Sequence, residues 1–249
     1  MKSLVAILHY NTVSYTDALY EMLKPYERND YDLVVINNGS DVDKVSRYAT
    51  YHSDANMGYG GGLDMSLKLF IDSPEYDSFT LLNSDLIVHG YNFINTLRKL
   101  LFSNENLMVV SPCVIQPTPQ QCFWKQMHNW NSTELRYVPF VDFQCALMKR
   151  PLAEKIGEFG SHYGWVQDLM TGIICEDNKW TIAVCDWAPI VHIGNVTVKT
   201  NPNLSNYNIL AQQEMDQYFI DKNLVERANQ LKFKSIGYKY EFMHEHKTI

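Results

Sequence analysis

The sequence predicts an α/β fold: a mainly parallel sheet flanked by helices, with a C-terminal helical tail. Three observations predict it. Short runs rich in bulky apolar residues, Leu4–Leu8, Leu33–Ile36, Ser78–Leu82 and Met108–Ser111, recur through the first part of the chain. Segments of helical spacing lie between them, the alternation that yields parallel strands joined by right-handed crossovers. The first three runs are each followed by a polar turn, at Asn11, at Asn37–Ser40 and at Asn83–Asp85. In such sheets ligands collect beyond the carboxyl ends of the strands, so these three turns are expected to converge on one edge.

Each element follows in order. Leu4–Leu8 reads as a buried parallel strand. Ser14–Leu23 has helical spacing, with Tyr15, Leu19, Met22 and Leu23 on one face. Leu33–Ile36 is a second strand, and Asp41–Tyr48 a short helix with Asp41 near its start. Asn56–Gly62 is a glycine loop that releases a helix over Leu63–Phe70. Ser78–Leu82 is a third strand, Tyr91–Leu101 a helix and Met108–Ser111 a strand. Pro112–Asn131, rich in Pro, Gln and aromatics, reads as a long excursion. Val138–Met148 and Thr181–Trp187 alternate like strands of a mixed sheet, and Tyr207–Asn223 has the spacing of a helix. Lys232–Ile249 shows no pattern that places it. The expected organisation is one domain over 1–200, with a donor half at 1–111 and an acceptor half at 112–200, and a helical extension over 201–249.

The 249 residues, 46% hydrophobic and 20% charged, suit one globular α/β domain with a sizeable core. The net charge of −7, with no basic block, offers no electrostatic footprint for nucleic acid. Five cysteines without a CxxC pair read as free thiols of a reducing compartment and make zinc an unfavoured ligand. The apolar start is too short for a signal peptide, and no run approaches the roughly 20 residues of a membrane span. The expected location is the cytoplasm, or a host's cytoplasm for a viral chain.

Four features carry chemistry. Asn56-Met57-Gly58-Tyr59-Gly60-Gly61-Gly62 holds four glycines in five positions, read as backbone made for close approach to a ligand rather than for packing. The helix that follows turns its amides toward phosphate or ribose oxygens; a flexible surface loop is the plain alternative. Asn83-Ser84-Asp85 places one carboxylate at the sheet edge, sensible beside a nucleotide diphosphate when a divalent cation lies between them, and otherwise an ordinary turn acid. Asp168, beside Gln167 and after Trp165, has the setting of a general base or of an acid at a helix N-terminus. His192 lies in the apolar run Ile190–Gly194, as a core histidine or a metal ligand.

In their order and spacing these motifs resemble family 2 glycosyltransferases, especially the rhamnosyltransferase-like branch, over residues 4–88. The first strand ends in Tyr10-Asn11, like that branch's Tyr-Asn. The second ends in Asn37-Asn38-Gly39-Ser40, like Asp-Asn-x-Ser. Asn56 to Asp64 is similar to Asn-x-Gly-Phe-x-Gly-Gly-x-Asn, and Leu81 to Asp85 to Leu-Leu-Asn-Pro-Asp. Later and more loosely, Phe143–Arg150 and Ile156–Phe159 are similar to the acceptor-side strand and the Ile-Gly-Gly-Phe that follows it. Gln167-Asp168 lies where the family has Glu-Asp, and His192 where it has a late histidine near the metal.

The resemblance implies a GT-A, Rossmann-like fold and an inverting transfer of sugar from a nucleotide-diphosphate sugar to an acceptor hydroxyl. It implies that Tyr10, Asn11, Asn37 and Asn38 hold base and ribose, and that Asn56, Gly58, Gly61, Gly62, Asn83 and Ser84 belong to the donor site. Asp85, with His192, would hold Mn2+ or Mg2+, and Asp168 would deprotonate the acceptor. Asn37, Asn83 and Gln167 replace family acids, and the arginine after the Glu-Asp pair is absent near Thr171 and Gly172. These departures motivate a second reading, a catalytically degenerate GT-A domain that binds sugars or partners. A nucleotidyltransferase ranks lower, because His9–Thr12 lacks the glycine-rich basic loop such enzymes carry after the first strand. The expected acceptor is a carbohydrate or another hydroxyl compound; a hydroxylated DNA base is disfavoured by the acidic charge. Trp124, Trp130 and Trp165 are candidates for an acceptor groove.

Overall fold

The computed structural model describes residues 1–27, 30–88, 92–115, 118 and 121–245, the side chains of 236–245 excepted. Branched and aliphatic residues at Leu4–Leu8 bury the first strand, β1 (Lys2–His9), from its second residue onward between helical layers. Helix α1 (Val13–Leu23) leads to β2 (Tyr31–Asn38) and β3 (Ala49–Ser53). Helix α2 (Gly58–Ile71), β4 (Tyr76–Asn83), β5 (Leu86–Val88), α3 (Phe93–Leu101) and β6 (Leu107–Val114) follow. The second half contributes β7 (Arg136–Tyr137), β8 (Leu147–Lys149), α4 (Arg150–Ile156), α5 (Val166–Asp177), β9 (Thr181–His192) and α6 (Val196–Thr200). Two longer helices, α7 (Tyr207–Asp221) and α8 (Val225–Glu245), end the described chain.

The strand order is β3-β2-β1-β4-β8-β6-β9-β5, with β7 also on β9. Pairings among β1 to β4 that involve β1 or β2 are parallel, as is β6 with β9. Strand β8 is antiparallel to both β4 and β6, and β5 and β7 are antiparallel to the two ends of β9. The expected mixed, mainly parallel α/β sheet flanked by helices is therefore the observed fold, GT-A-like in its Rossmann half. No helix among the described residues is long and apolar enough to cross a membrane. All five cysteines are buried and free.

Four local expectations are corrected. The helix expected over Asp41–Tyr48 is a single 3-10 turn at Val42–Lys44, followed by β3. Strand β3 escapes the apolar pattern because its middle residues face solvent at the edge of the sheet. The glycine loop is a helical turn: α2 begins at Gly58. Most of Val138–Met148 is not strand; only Leu147 and Met148 pair, and the alternating apolar side chains of 138–146 are buried by an irregular segment. The helix expected from Tyr91 begins at Phe93, and Tyr91 itself lies outside the described residues. The unplaced tail is the second half of α8 up to Glu245, with 246–249 outside the described residues.

A second apolar cluster fixes the C-terminal helices. Met215, Phe219, Ala228 and Leu231 pack on Phe140 and on Val166, Leu169 and Ile173 of α5. Where β9 shifts register against β6, between Cys185 and Ile190, Asp186 turns inward onto a fully buried Arg136. The Arg136 Nη2–Asp186 Oδ1 distance is 2.6 Å, and Arg136 also donates to the carbonyls of Gln126 and His128. The other oxygen of Asp186 accepts from the amides of Trp130 and Ser132. Every polar atom of the pair thus has a partner, which is what makes burying both charges tolerable. Replacing one partner strands the other: Arg136→Leu is expected to cost about 3–5 kcal/mol in denaturant unfolding. A loss below about 1 kcal/mol, the range of a surface pair, would show that this pair does not hold the 125–132 excursion.

Candidate active site

The carboxyl ends of β1, β2 and β4 do meet. Asn11 adopts a left-handed backbone, φ 55°, and its amide donates to Asp41 and, at 2.9 Å, to Asn201. Tyr10 is half-buried just after β1. Asn37 Oδ1 accepts from Ser40 N, and its Nδ2 lies 3.4 Å from His52. Asn38 accepts from Met57 N and donates to the Gly58 carbonyl and to Asn56 Oδ1; Asn56 in turn accepts from Gly58 N. Asn38 and Asn56 therefore act as clamps on the start of α2.

The glycines have a packing reason that the sequence reading denied them. A Cβ on Gly60 would stand 1.9 Å from the Ser161 carbonyl oxygen, and one on Gly62 would stand 2.5 Å from the Leu8 side chain. Gly58 is pressed against the His162 carbonyl in the same way, while at Gly61 only the Met57 side chain intervenes. The first turn of α2 thus lies flush on the 161–164 turn, with Gly60 N donating to His162 O at 2.9 Å.

One turn after β4, Asp85 is buried with its two oxygens in separate roles. Oδ2 accepts from the amides of Gly194 and Val196, at 3.1 and 3.4 Å. Oδ1 faces His192 Nε2 at 3.1 Å, a contact created because Leu86 of β5 pairs with His192 of β9. The preceding Ser84 hydroxyl bonds Thr12, and Asn83 Nδ2 lies 3.4 Å from His192 Nε2. His192 Nδ1 is 2.5 Å from the Gln121 carbonyl. A carbonyl only accepts, so Nδ1 carries the proton, and Nε2 then meets Asp85 as an imidazolium donor or as a free lone pair. Burial pushes the His192 pKa down, but the bond to Asp85, the Asp85 charge, the Gln121 carbonyl and Asp142 outweigh it and leave it raised. Burial pushes Asp85 up, and His192 with the Val196 amide brings it below the ordinary aspartate value.

Asp168, in the first turn of α5, accepts from Phe143 N at 3.2 Å and from Trp124 Nε1 at 3.3 Å. Holding the Phe143 amide brings Asp142 beside it. Asp142 Oδ2 accepts from Gln144 Nε2 at 2.7 Å, and the same Gln144 nitrogen donates to the Gln121 carbonyl that also receives His192. A chain of contacts therefore runs from Asp85 through His192, Gln121 and Gln144 to Asp142 and on to Asp168. Burial raises Asp168 well above the usual carboxylate range, and the neighbouring Asp142 charge raises it further. Burial raises Asp142 to about 6, against the pull of His192 and Gln144. Tyr59, on the first turn of α2, donates to the Phe143 carbonyl and links the two sides of the site.

The sequence singled out Asp85, His192 and Asp168 but not Asp142, Gln144 or Gln121. A charged residue inside the apolar stretch Val138–Met148 was the available signal, and it was absorbed into an expected strand. Of the three tryptophans, Trp124 touches Asp168, whereas Trp130 stacks on Arg136 with 4.5 Å between the ring centre and the guanidinium carbon. Trp165 is exposed just before α5.

Among the described residues no three His, Cys, Asp or Glu side chains form a metal cage. Two ligands at right angles on a cation that holds each at about 2.1 Å stand about 3 Å apart. The 3.1 Å between Asp85 Oδ1 and His192 Nε2 fits such a pair. The Nδ1 bond to a carbonyl is the kind that orients metal-binding imidazoles.

No protein-family model and no curated protein sequence matches the chain. Among solved structures the chain is similar to the mannosyltransferase PcManGT from Pyrobaculum calidifontis, in complex with GDP-Man and Mn2+. The two are 14% identical with a TM-score of 0.61, and the match covers 89% of this chain and 64% of that one. The chain is also similar to A197 from STIV, at 14% identity and a TM-score of 0.49, over 78% of this chain and 86% of that one; a likeness that loose carries no weight. The fold that these findings define is glycosyltransferase-like.

The raised acids make a pH signature. A carboxyl that binds its proton more tightly folded than unfolded stabilises fully below about pH 4, the unfolded value. That contribution is lost as pH rises through the folded value, about 6 for Asp142. Asp142→Asn removes the charge and keeps an acceptor for Gln144. The variant is expected to melt above the parent at neutral and alkaline pH, with the gap closing at acid pH. A gap that stays constant across the range would contradict the assignment.

Proposed function

We propose that this chain is a glycosyltransferase that moves a sugar from a nucleotide-diphosphate sugar to an acceptor hydroxyl with inversion at the anomeric carbon. The observation that carries the reading is the meeting of the Asp85–His192 pair with the half-buried Asp142 and the buried Asp168 at the carboxyl edge of a GT-A-like sheet. GDP-Man and Mn2+ in the mannosyltransferase of similar fold support a nucleotide-sugar donor and a divalent cation here.

In this reading Tyr10, Asn11, Asn37 and Asn38 border the nucleoside. The start of α2, with Asn56, Gly58, Gly61 and Gly62, lies toward the phosphates, and Asn83 and Ser84 frame Asp85. Asp85 Oδ1 and His192 Nε2 are the ligands for Mn2+ or Mg2+, which when bound would neutralise the diphosphate leaving group as a Lewis acid. Asp168 takes the acceptor proton. Its raised affinity for a proton suits a base near neutral pH, and the Trp124 and Phe143 N–H groups fix its oxygens. Residues 1–111 serve the donor, 112–200 the acceptor, and 201–249 the extension, whose described helices pack on α5. The acceptor is a carbohydrate or another hydroxyl compound, with a nucleic-acid hydroxyl the less favoured class.

Two variants test this. With a nucleotide sugar at about 100 times its dissociation constant and Mn2+, binding adds about 2.7 kcal/mol of stability, a rise of several degrees in melting temperature. Asp85→Asn should lose most of that rise; an unchanged rise removes Asp85 from the donor site. Asp168→Asn should keep donor binding and lose about 100- to 10,000-fold in turnover. Full activity in that variant would remove Asp168 from the chemistry, and a parent chain that binds donor without turnover would instead favour the degenerate, binding-only reading.

A further inference from the structure

The segment between β7 and β8 carries a polar corner that the proposed mechanism leaves unused. Gln144 is buried. Its side-chain nitrogen donates to Asp142 Oδ2 at 2.7 Å and to the Gln121 carbonyl at 2.9 Å. Both partners are acceptors, so the orientation of the amide is fixed by chemistry and not by choice of flip. Its other atom, Oε1, is buried and meets no donor among the described residues. Asn83 Oδ1, on the strand whose Asn83 amide bonds the Gln144 carbonyl at 3.0 Å, is buried and unmet as well. A buried acceptor without a donor costs about 1–3 kcal/mol, so each asks for a partner.

Their surroundings say what would meet them. Asp142 adds a carboxylate with one oxygen to which no described residue donates. Gln144 Oε1, Asn83 Oδ1 and Asp142 thus form an acceptor-rich corner, within one or two hydrogen bonds of the Asp85–His192 pair. A phosphate is itself an acceptor and an anion, and this corner repels it. A neutral group with several O–H donors satisfies it, and one carboxylate takes two adjacent hydroxyls at once.

We propose that Asp142 and Gln144, with Asn83, bind the hydroxyls of the transferred sugar and set which sugar the chain accepts. The inference rests on the glycosyltransferase reading and deepens it. It divides the site by charge type: the Asp85–His192 side for the diphosphate, and the Asp142–Gln144 side for the hydroxyl edge of the sugar beside it.

The test compares dissociation constants of GDP with GDP-mannose and of UDP with UDP-glucose, by calorimetry with Mn2+, for the parent chain, Asp142→Asn and Gln144→Leu. In the nucleotide pair that binds, each variant should weaken the nucleotide sugar about 10- to 100-fold, the range of a hydrogen bond to a charged group, and leave the nucleotide diphosphate unchanged. Equal weakening of both, or of neither, overturns this inference and leaves the function standing. A raised KM for acceptor with unchanged donor affinity also overturns it, by moving the corner to the acceptor. A parent chain that binds none of the four probes overturns the function and the inference together. Should a variant fail to fold, donors that each lack one sugar hydroxyl are titrated against the parent chain. One of them must bind about 10-fold more weakly, and uniform affinity across the series overturns the proposal.

Discussion

His192 ends β9 and Asp85 precedes β5, and the rest of the site is arranged around their 3.1 Å contact. The Gln121 carbonyl holds the proton on Nδ1, so the other nitrogen must face the carboxylate. The Gly194 and Val196 amides hold Oδ2, so the other oxygen must face the imidazole. Neither side chain is left a choice of direction. The antiparallel pairing of β5 with the end of β9 then sets the distance between them. Gln121 extends the same constraint: its carbonyl also receives Gln144, which turns Asp142 toward the centre.

This arrangement trades stability for chemistry. Two carboxylates placed side by side, one buried and one half-buried, repel each other and lose hydration, and both bind protons more tightly than in solution. Elsewhere the fold avoids such costs: Asp186, more deeply buried, is matched by Arg136 with all its polar atoms satisfied. No cation of the chain hydrogen-bonds the Asp142–Asp168 pair among the described residues, although His192 acts on Asp142 from a distance. The contrast between the neutralised Asp186 and the unneutralised Asp142–Asp168 pair supports the proposed role of the latter, since unmatched groups concentrate at active sites.

The first half of the fold was legible because burial on both faces forces near-continuous apolar runs, as in β1, and because the turns after β1, β2 and β4 broke those runs with asparagine and aspartate. Asp85 stood out for that reason, Asp168 for its place beside Gln167 after Trp165, and His192 for its place in an apolar run. Strand β3 was hidden because an edge strand with exposed side chains has no apolar signature. The glycines were seen, but the packing need of Gly58 and Gly60 was not: they contact a turn about 100 residues onward, which local spacing does not encode. Asp142 was hidden for a related reason. Its meeting with Asp168 depends on the bond from the neighbouring Phe143 amide to Asp168, 25 residues onward, and on an irregular segment whose apolar residues imitate a strand.

Those long-range contacts support the proposal that Asp85 and His192 act together at the centre of the enzyme. Pulsed electron paramagnetic resonance of Mn2+ bound to the chain with GDP-mannose or UDP-glucose tests that assignment most directly. The account predicts nitrogen hyperfine modulation from one imidazole, abolished in His192→Ala. Bound manganese with no nitrogen modulation, or with modulation that survives loss of His192, would contradict it.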